Sequence, residues 1–365
     1  MGAYILRRLA LIVPTLFGIM LINFAILQFV PGGPVERIML QLEEGTGAYG
    51  ATDRFTGGAD AGGGSQNLGE ESSYRGSQGL EQELKDELTA QFGLDKPAWE
   101  RFAIMMWNYA RFDFGESFFR SATVIDLIVE KLPVSISLGL WATLISYLVS
   151  IPLGVMKAVR DGTPFDAATS AIIIAAYAIP GFLFAVLLLV VFAGGTYLDW
   201  FPLRGLVSDG WEEMSALGKV ADYFWHISLP VLAILIGSFA TLTLLTKNSF
   251  LDEIAKQYVM TARAKGLSER AVLYGHVFRN GMLIVIAGFP GAFLFAFFGS
   301  AIFVETVFSL DGLGLLSYEA VLNRDYPVVL GTLYIFGLMG LAVRLLTDLV
   351  YVLIDPRIDF ERREG

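Results

Sequence analysis

The sequence predicts an all-α membrane protein with six transmembrane helices and a small helical domain between the first two. Three observations carry this. Of 365 residues, 55% are hydrophobic and only 17% charged, against about 25% charged in an ordinary soluble domain. The charge is absent from long windows rather than thinned evenly, and mean hydropathy reaches +0.58. Basic residues gather in alternate connecting segments, as they do in proteins that cross a bilayer repeatedly. The chain has no cysteine, which excludes a disulfide scaffold, a thiolate nucleophile and Cys-ligated metal sites. The two histidines, His226 and His276, are far apart with no HExxH around them, and no stretch reads GxxxxGK[ST]. A zincin centre and a phosphate-binding loop are therefore excluded too, and no cofactor or metal is expected.

Six uncharged windows can each cross a hydrocarbon core of about 30 Å, at 1.5 Å rise per residue. They are Leu9–Val35, Leu132–Met156, Ala167–Leu198, Tyr223–Thr246, Asn280–Val304 and Tyr326–Val343, the last continuing apolar past Arg344 and Asp348 to Ile354. The first window, whose helix is expected over 9–30, follows Arg7 and Arg8. It is longer than a signal-peptide apolar core and ends without an A-x-A-like cleavage pattern, so it reads as a retained signal anchor.

Orientation follows from Lys and Arg in the short segments. Arg7 and Arg8, the 157–166 loop with Lys157 and Arg160, the 247–280 loop with six basic residues, and the 355–365 tail share one side. That side is expected to be the cytoplasm, with residues 1–8 and the tail both inside. The opposite side is acidic: 31–131 holds 17 Asp and Glu against nine Lys and Arg. The net charge of −10 is thus an outward-facing surface and gives no reason to expect nucleic acid.

The 31–131 segment is expected to be a small helical outer domain, which the resemblance given below would place in the periplasm. Its 45–79 part holds eleven glycines and few large apolar residues, so a flexible excursion is expected there, either an unselected insertion or a lid facing the substrate. From Leu80 the pattern turns helical: Leu84, Leu88 and Phe92 recur at four, and Phe102, Met105, Met106 and Tyr109 follow at three and four. The remaining 132–354 makes a five-helix core.

The 247–280 loop is the most informative connecting segment. Asp252 and Glu253 early, and Arg263 and Lys265 late, suit the dipole of one helix. Gly266 fits the position past its end, where a left-handed residue is wanted. Ser268 is suited to cap a second short helix. Two short helices meeting at a glycine form a knob for docking; an amphipathic loop lying on the membrane would carry similar charges.

In that loop, Tyr258-Val259 followed by Thr261-Ala262-Arg263-Ala264-Lys265-Gly266-Leu267 resembles the coupling-helix signature of type I ABC importer permeases, in the dipeptide/oligopeptide branch. The general motif is Glu-Ala-Ala, three residues, then Gly. Here Met260-Thr261-Ala262 fill the first places and Gly266 matches the glycine; the glutamate is absent, as is usual in the peptide branch. His276-Val277-Phe278-Arg279-Asn280 also fits that branch rather than the broader Ile-x-Leu-Pro ending. Pro31-Gly32-Gly33-Pro34, Gly93-Leu94-Asp95-Lys96-Pro97, Asp113-Phe114-Gly115-Glu116-Ser117, Ile179-Pro180, Leu229-Pro230, Gly312-Leu313-Gly314 and Asp355-Pro356-Arg357 are similar to its landmarks in order, across all six spans. The glycine-rich insertion ending in Tyr74-Arg75-Gly76 resembles a YejB-like subgroup, whose permeases import peptides and peptide-like antibiotics such as microcin C.

The resemblance implies the type I permease fold in a bacterial inner membrane and a set of partners. These are a second homologous permease enclosing a central path, cytoplasmic ABC ATPases receiving the coupling helix, and a periplasmic peptide-binding protein. It implies ATPase-coupling roles for Thr261, Ala262, Arg263, Ala264, Lys265 and Gly266, and no ATP hydrolysis by this chain.

Individual residues stay open at this point. Pro180, Gly181, Pro290 and Gly291 sit inside predicted spans, where they suit hinges of a translocation path or gate, although membrane helices tolerate Pro and Gly generally. Glu305 ends the fifth span and is a candidate for the same path, meeting a peptide's amino terminus. Arg344 and Asp348, spaced i, i+4, read as a self-neutralised pair with Arg344 snorkelling. Asn23, Gln28 and Asn280 call for partners on neighbouring helices. The Phe293, Phe295, Phe297, Phe298 cluster reads as lipid-facing or packing rather than as a peptide sieve, and His226 as a solvated interfacial imidazole. A proton-driven transporter would need acidic residues near midplane and repeats; only Asp348 lies well inside a span. An intramembrane enzyme would need a Ser/His, paired-Asp or metal constellation within the spans, and none is apparent. Nickel and glutathione permeases occupy the same branch, but the ten methionines are scattered, which favours peptide over metal.

Overall fold

The computed structural model describes residues 2–30, 33–36, 38–39, 85–86, 88–90, 93–195, 197–294, 296–297 and 301–354. The 45–79 stretch, Leu84, Phe92, Pro31, Gly32, Phe295, Phe298 and the 355–365 tail lie outside them. Among the described residues the chain is built of helices. In order these are α1 (Gly2–Phe29), α2 (Ala98–Tyr109), α3 (Val124–Val159), α4 (Pro164–Tyr177), α5 (Gly181–Phe192), α6 (Ala216–Ile254), α7 (Gln257–Ala264), α8 (Glu269–Val272), α9 (Phe278–Ala287), α10 (Phe289–Leu294), α11 (Ala301–Val307), α12 (Leu313–Asn323) and α13 (Tyr326–Ile354). A π-helical turn, Leu273–Val277, joins α8 to α9.

Among the described residues, five helical runs are long and apolar enough to cross a bilayer, and a sixth is obtained if α4 and α5 count as one bent span. The helices outrun the uncharged windows because their ends are set by caps rather than by hydropathy. Ser215 accepts the Gly218 amide and opens α6 eight residues before Tyr223; Thr163 does the same for α4 at the Asp166 amide.

Two windows need correction. The third is two helices bent by 88° across Ala178–Pro180, because Pro180 supplies no amide to continue α4 and disfavours a helical residue before it. The fifth was expected over Asn280–Val304. The helical run instead covers Glu269–Leu294. It starts at the Ser268 cap and steps at Gly288, where Pro290 again withholds an amide.

The chain divides into two compact units. The first comprises Met1–Leu16, Ile128–Tyr318 and Ile335–Gly365. Its helices approach closely at small residues, as membrane helices must when burial alone gives little drive. A Cβ added at Gly154 of α3 would stand 2.6 Å from Thr246 Cβ on α6, and one at Gly139 would stand 3.2 Å from the Phe297 backbone. Phe297 is buried, its ring 6.0 Å from Phe293, so the described phenylalanines of that cluster pack internally.

A buried ionic hub holds α3, α4 and α6 together. Lys157, fully buried, sends Nζ to Asp166 Oδ1 at 2.9 Å, to the Asp166 carbonyl at 2.9 Å, and to the Thr169 and Ser170 hydroxyls at 2.8 and 2.7 Å. Lys247 of α6 reaches Asp166 Oδ2 at 2.7 Å and Asp161 at 2.8 Å. Elsewhere in this unit two sequence readings are corrected. Asp348 pairs with Arg8 at 3.1 Å and accepts the Tyr4 hydroxyl at 2.9 Å, whereas Arg344 is exposed. A partner on α1 is available at the same depth, so the i, i+4 arrangement is not used. His226 is buried, with Nδ1 2.8 Å from the Asp222 carbonyl one turn earlier, instead of solvated.

The second unit comprises Phe17–Leu127 and Glu319–Tyr334, so it takes in the end of α1 and the start of α13 besides the outer segment. The Phe102 ring of α2 meets Phe17 and Phe24 of α1 at 5.5 and 5.3 Å. Tyr109 meets Phe114 and Tyr334 edge-on at 4.8 and 5.4 Å, and those two rings lie tilted to each other at 5.5 Å; burial pushes the Tyr109 phenol up. In the Asp113–Ser117 turn, Gly115 adopts φ +76° and its amide is accepted by Asp113 Oδ1 at 3.1 Å. Ser117 donates to Asp325, which also accepts the Phe118 amide at 3.1 Å. Gln28 accepts from Arg101 at 2.5 Å, while Asn23 bonds its own helix at Ile19, not a neighbour.

Candidate functional site

The 247–280 region is held from inside and exposed outside. Helix α6 runs on to Ile254, so the true connection is short, and α7 follows at once. Val259 and Ala262 of α7, Val272, Val277 and Phe250 form one buried cluster. Gly281 lets the Phe250 ring lie against α9: a Cβ there would stand 3.0 Å from it. Asn280 donates to the Tyr258 hydroxyl at 3.2 Å, and Ser249 to the Gly281 carbonyl at 2.7 Å, so the polar groups at the base of the knob are satisfied between its own elements.

Helix α7 closes in a Schellman turn. The Leu267 amide bonds the Ala262 carbonyl at 3.4 Å and the Gly266 amide bonds the Arg263 carbonyl at 2.9 Å, with Gly266 at φ +83°. Ser268 then accepts the Ala271 amide and starts α8. Arg263 grips Glu269 with both guanidinium arms, at 3.0 and 3.1 Å. At the entry side, the Glu253 carboxylate beside Lys256 holds that ammonium above the usual lysine value. Of the six residues assigned to coupling, Ala262 is buried and Thr261, Arg263, Ala264, Lys265 and Gly266 are exposed, together with Met260 and Leu267. The surface is therefore a preformed knob with an apolar and cationic outer face.

A second feature lies within the same unit. A cavity of about 610 Å³ opens at the α4–α5 elbow, walled by parts of α3, α6, α10 and α11. Gly181 and Phe182 at the start of α5 lie on its wall, and Gly237 of α6 also lines it, with nothing within 4 Å of where its Cβ would be. Gly288 and Ala292, which flank Pro290 and Gly291, line the cavity; Pro290 itself is buried in α10. Pro180, Gly181, Pro290 and Gly291 thus mark two helix breaks bordering one space.

Glu305 is turned away from that space. Its side chain is fully buried, accepts the Ser135 hydroxyl at 2.7 Å and the Leu315 amide at 2.9 Å, and so sits on the N-terminus of α12, where a carboxylate is favoured. Ser135 in turn accepts the Leu313 amide at 2.8 Å, and one turn earlier Lys131 pairs with Asp311. Gly312 and Gly314 make room: a Cβ at Gly312 would overlap the Glu305 carboxyl, and one at Gly314 would stand 2.8 Å from Ile302 Cα. The Gly-Leu-Gly landmark is a cradle for a buried acid.

The sequence did not point to Thr143, Ser146, Ser135 or the Lys157–Asp166–Lys247 hub. Only the hub left a trace: Thr163-Pro164 is a helix start, and Asp166, Thr169 and Ser170 then share one face at i, i+3, i+4.

Residues 150–360 match the family described as "Binding-protein-dependent transport system inner membrane component". The chain is 64% identical, over the whole of both chains, to the peptidoglycan transport system permease protein YejB of Agrobacterium fabrum. It is 57% identical, again over both full lengths, to the inner membrane ABC transporter permease protein YejB of Escherichia coli O157:H7. It is 29% identical, over 99% of this chain and all of the relative, to the oligopeptide transport system permease protein AppB of Bacillus subtilis. With its multi-pass helices and this match over more than half its length, the chain belongs to the family of inner membrane components of binding-protein-dependent transport systems, the non-hydrolytic membrane subunits of ABC importers.

Proposed function

We propose that this chain forms half of the translocation path of an ATP-driven importer for oligopeptides or peptide-like compounds, including fragments of peptidoglycan. The observation that carries the reading is similarity over the whole of this chain to a permease named for peptidoglycan transport, and over 99% of it to one named for oligopeptide transport. The α7–α8 knob is the coupling element: residues 261–266 present an exposed face on a rigid, internally satisfied base, the form required of a part that transmits force from an ATPase. In this reading the 247–280 loop and both termini face the cytoplasm, and residues 31–131 face the periplasm. A second, homologous permease completes the path, and a periplasmic binding protein delivers the peptide. The breaks at Pro180-Gly181 and Pro290-Gly291 serve as the gate, and Glu305 fixes the α11–α12 corner beside it.

The test is purification of the tagged chain in a gentle detergent, with its partners identified by mass spectrometry and ATP hydrolysis then measured with and without peptide and binding protein. Co-purification of a second permease and an ATPase, with peptide-stimulated hydrolysis, is the expected result. Recovery of the chain alone, in a detergent that keeps known transporter complexes whole, would overturn it.

A further inference from the structure

Helix α2 has a face that the chain itself does not cover. Trp99, Ile104 and Trp107 recur at i, i+5 and i+8, with the exposed Ala103 between them, and so share one side of the helix. They are 73%, 41% and 62% exposed, and leaving such side chains in water forfeits some of the largest apolar gains available. The only acid of α2, Glu100, lies in its first turn and pairs with Lys96 at 4.0 Å. Past the other end, Arg111 holds its guanidinium 4.2 Å from the Trp107 ring centroid. An apolar stripe with tryptophans, and charge kept to its two ends, is the pattern of a helix lying in a membrane interface.

The packing of α2 fixes how deep that face lies. On the other side of the helix, Phe102 sits between Phe17 and Phe24 of α1, 5.5 and 5.3 Å from their ring centroids. These two residues are about 18 and 8 Å in from Phe29, at 1.5 Å per residue, on a helix long and apolar enough to cross the bilayer. The middle of α2 therefore lies at the level of hydrocarbon rather than in the water beyond the end of α1. Arg101 marks the same boundary. Its guanidinium lies 5.9 Å from the Phe24 ring centroid and donates to Gln28, one turn nearer the α1 end. A cation that rests its stem on apolar surface and turns its head toward the headgroups behaves in this way. At the same depth α1 exposes Leu21, Ile22 and Ile26, so the bare face of α2 shares its level with side chains that a membrane-crossing helix turns to lipid.

We infer that α2 is seated in the lipid leaflet at the Phe29 end of α1, with its Trp99–Ile104–Trp107 face among the headgroups and first acyl carbons. In the orientation proposed above this is the outer leaflet; the seat itself is set by α1 and does not depend on which side is which. Trp99, beside the Lys96–Glu100 pair, stays at headgroup level within reach of water, while Ile104, at mid-helix, lies deepest. Part of the segment between the first two spans is thus docked on the membrane by a helix that does not cross it.

The test uses the complete transporter in lipid vesicles. The chain has no cysteine, so in an otherwise cysteine-free complex a nitroxide attached at Lys96→Cys, Ile104→Cys or Trp107→Cys reports from one place. All three positions are exposed, and the label displaces no packing. Power-saturation EPR compares collisions with oxygen, which concentrates in lipid, and with a water-soluble nickel chelate. Oxygen is expected to dominate at 104 and 107, with the label at 104 about 5–10 Å below the headgroups, and the nickel chelate at 96. Nickel collisions in excess at 104 and 107 would put the face in water and overturn the seat. Low collision rates with both reagents would show protein there, from the second permease or the binding protein, and would overturn it as well. None of these readouts depends on what is transported, so failure of the peptide reading would show separately.

Discussion

The Nζ of Lys247 lies 2.7 Å from Asp166 Oδ2, although 81 residues separate them. Through the same carboxylate, Lys157 is joined to the pair, and Lys247 also meets Asp161, so one acid bridges two cations where α3, α4 and α6 meet. Lys247 is on α6, and the α7 knob begins ten residues further along the chain. The hub therefore anchors the stalk of the element proposed to couple to the ATPase.

Removing the acid should be much worse than removing the whole hub. Asp166→Asn leaves the buried Lys157 ammonium without its carboxylate and Lys247 with Asp161 alone, and breaking a buried pair in this way costs about 3–5 kcal/mol. The expected outcome is a lower thermal midpoint and less chain in the membrane fraction. Replacing Asp166 together with Lys157 and Lys247 by apolar residues of similar volume should recover most of the loss. Equal damage from the single and the triple replacement would show that packing, not charge, matters there.

Gly266→Pro and Gly266→Arg should abolish transport while leaving membrane insertion intact. Proline is locked near φ −65° and cannot adopt the +83° found here, and it removes the amide bonded to Arg263. Arginine has space, since nothing lies within 4 Å of the Cβ position, but bears about 1–2 kcal/mol of left-handed strain and alters the outer face. Uptake and membrane level measured side by side check this; normal uptake by either variant would remove the coupling assignment.

Gly312→Ala should destabilise the α11–α12 corner by roughly 1–3 kcal/mol, the usual cost of overpacking a tight site, because the added methyl overlaps the Glu305 carboxyl. A melting curve of the purified complex would read it. Glu305→Gln, which keeps the shape and loses the charge facing the Leu315 amide, should cost less than Glu305→Ala.

The proposed orientation can be read directly because the chain has no cysteine, so any cysteine introduced is the only one. Lys265→Cys on the knob and Trp99→Cys on α2 are both at exposed positions. A maleimide that cannot cross the membrane should label Trp99→Cys in right-side-out vesicles and Lys265→Cys in inside-out ones. The reverse pattern would invert the topology.

Much of the architecture was legible because it is written in local terms. Uncharged windows overlapped each long apolar run, the third and fifth only in part, and the sequence Arg263–Ser268 announced a helix end, a left-handed glycine and a new cap, all of which the backbone adopts. What escaped is what depends on the chain meeting itself. Asp348 looked matched to Arg344 because spacing sees only its own helix, whereas Arg8 approaches from the opposite end of the sequence. Gly312-Leu313-Gly314 was visible as a motif, but its purpose, housing Glu305, needs Ser135 from a distant helix. Pro180 was visible as a break, yet an 88° turn and a gentle kink have the same sequence.

That turn has a consequence for where the chain can live. A continuous helix satisfies its own backbone and can face hydrocarbon on every side. At the elbow, the last carbonyls of α4 and the first amides of α5 are released together within a few residues. Lipid tails offer nothing to accept or donate, so such a break is tolerated only against protein or water. The face that carries Ala178, Ile179 and Pro180 must therefore be wetted or covered in the working transporter, and a subunit stranded alone in a bilayer would have to draw water into the membrane at that point.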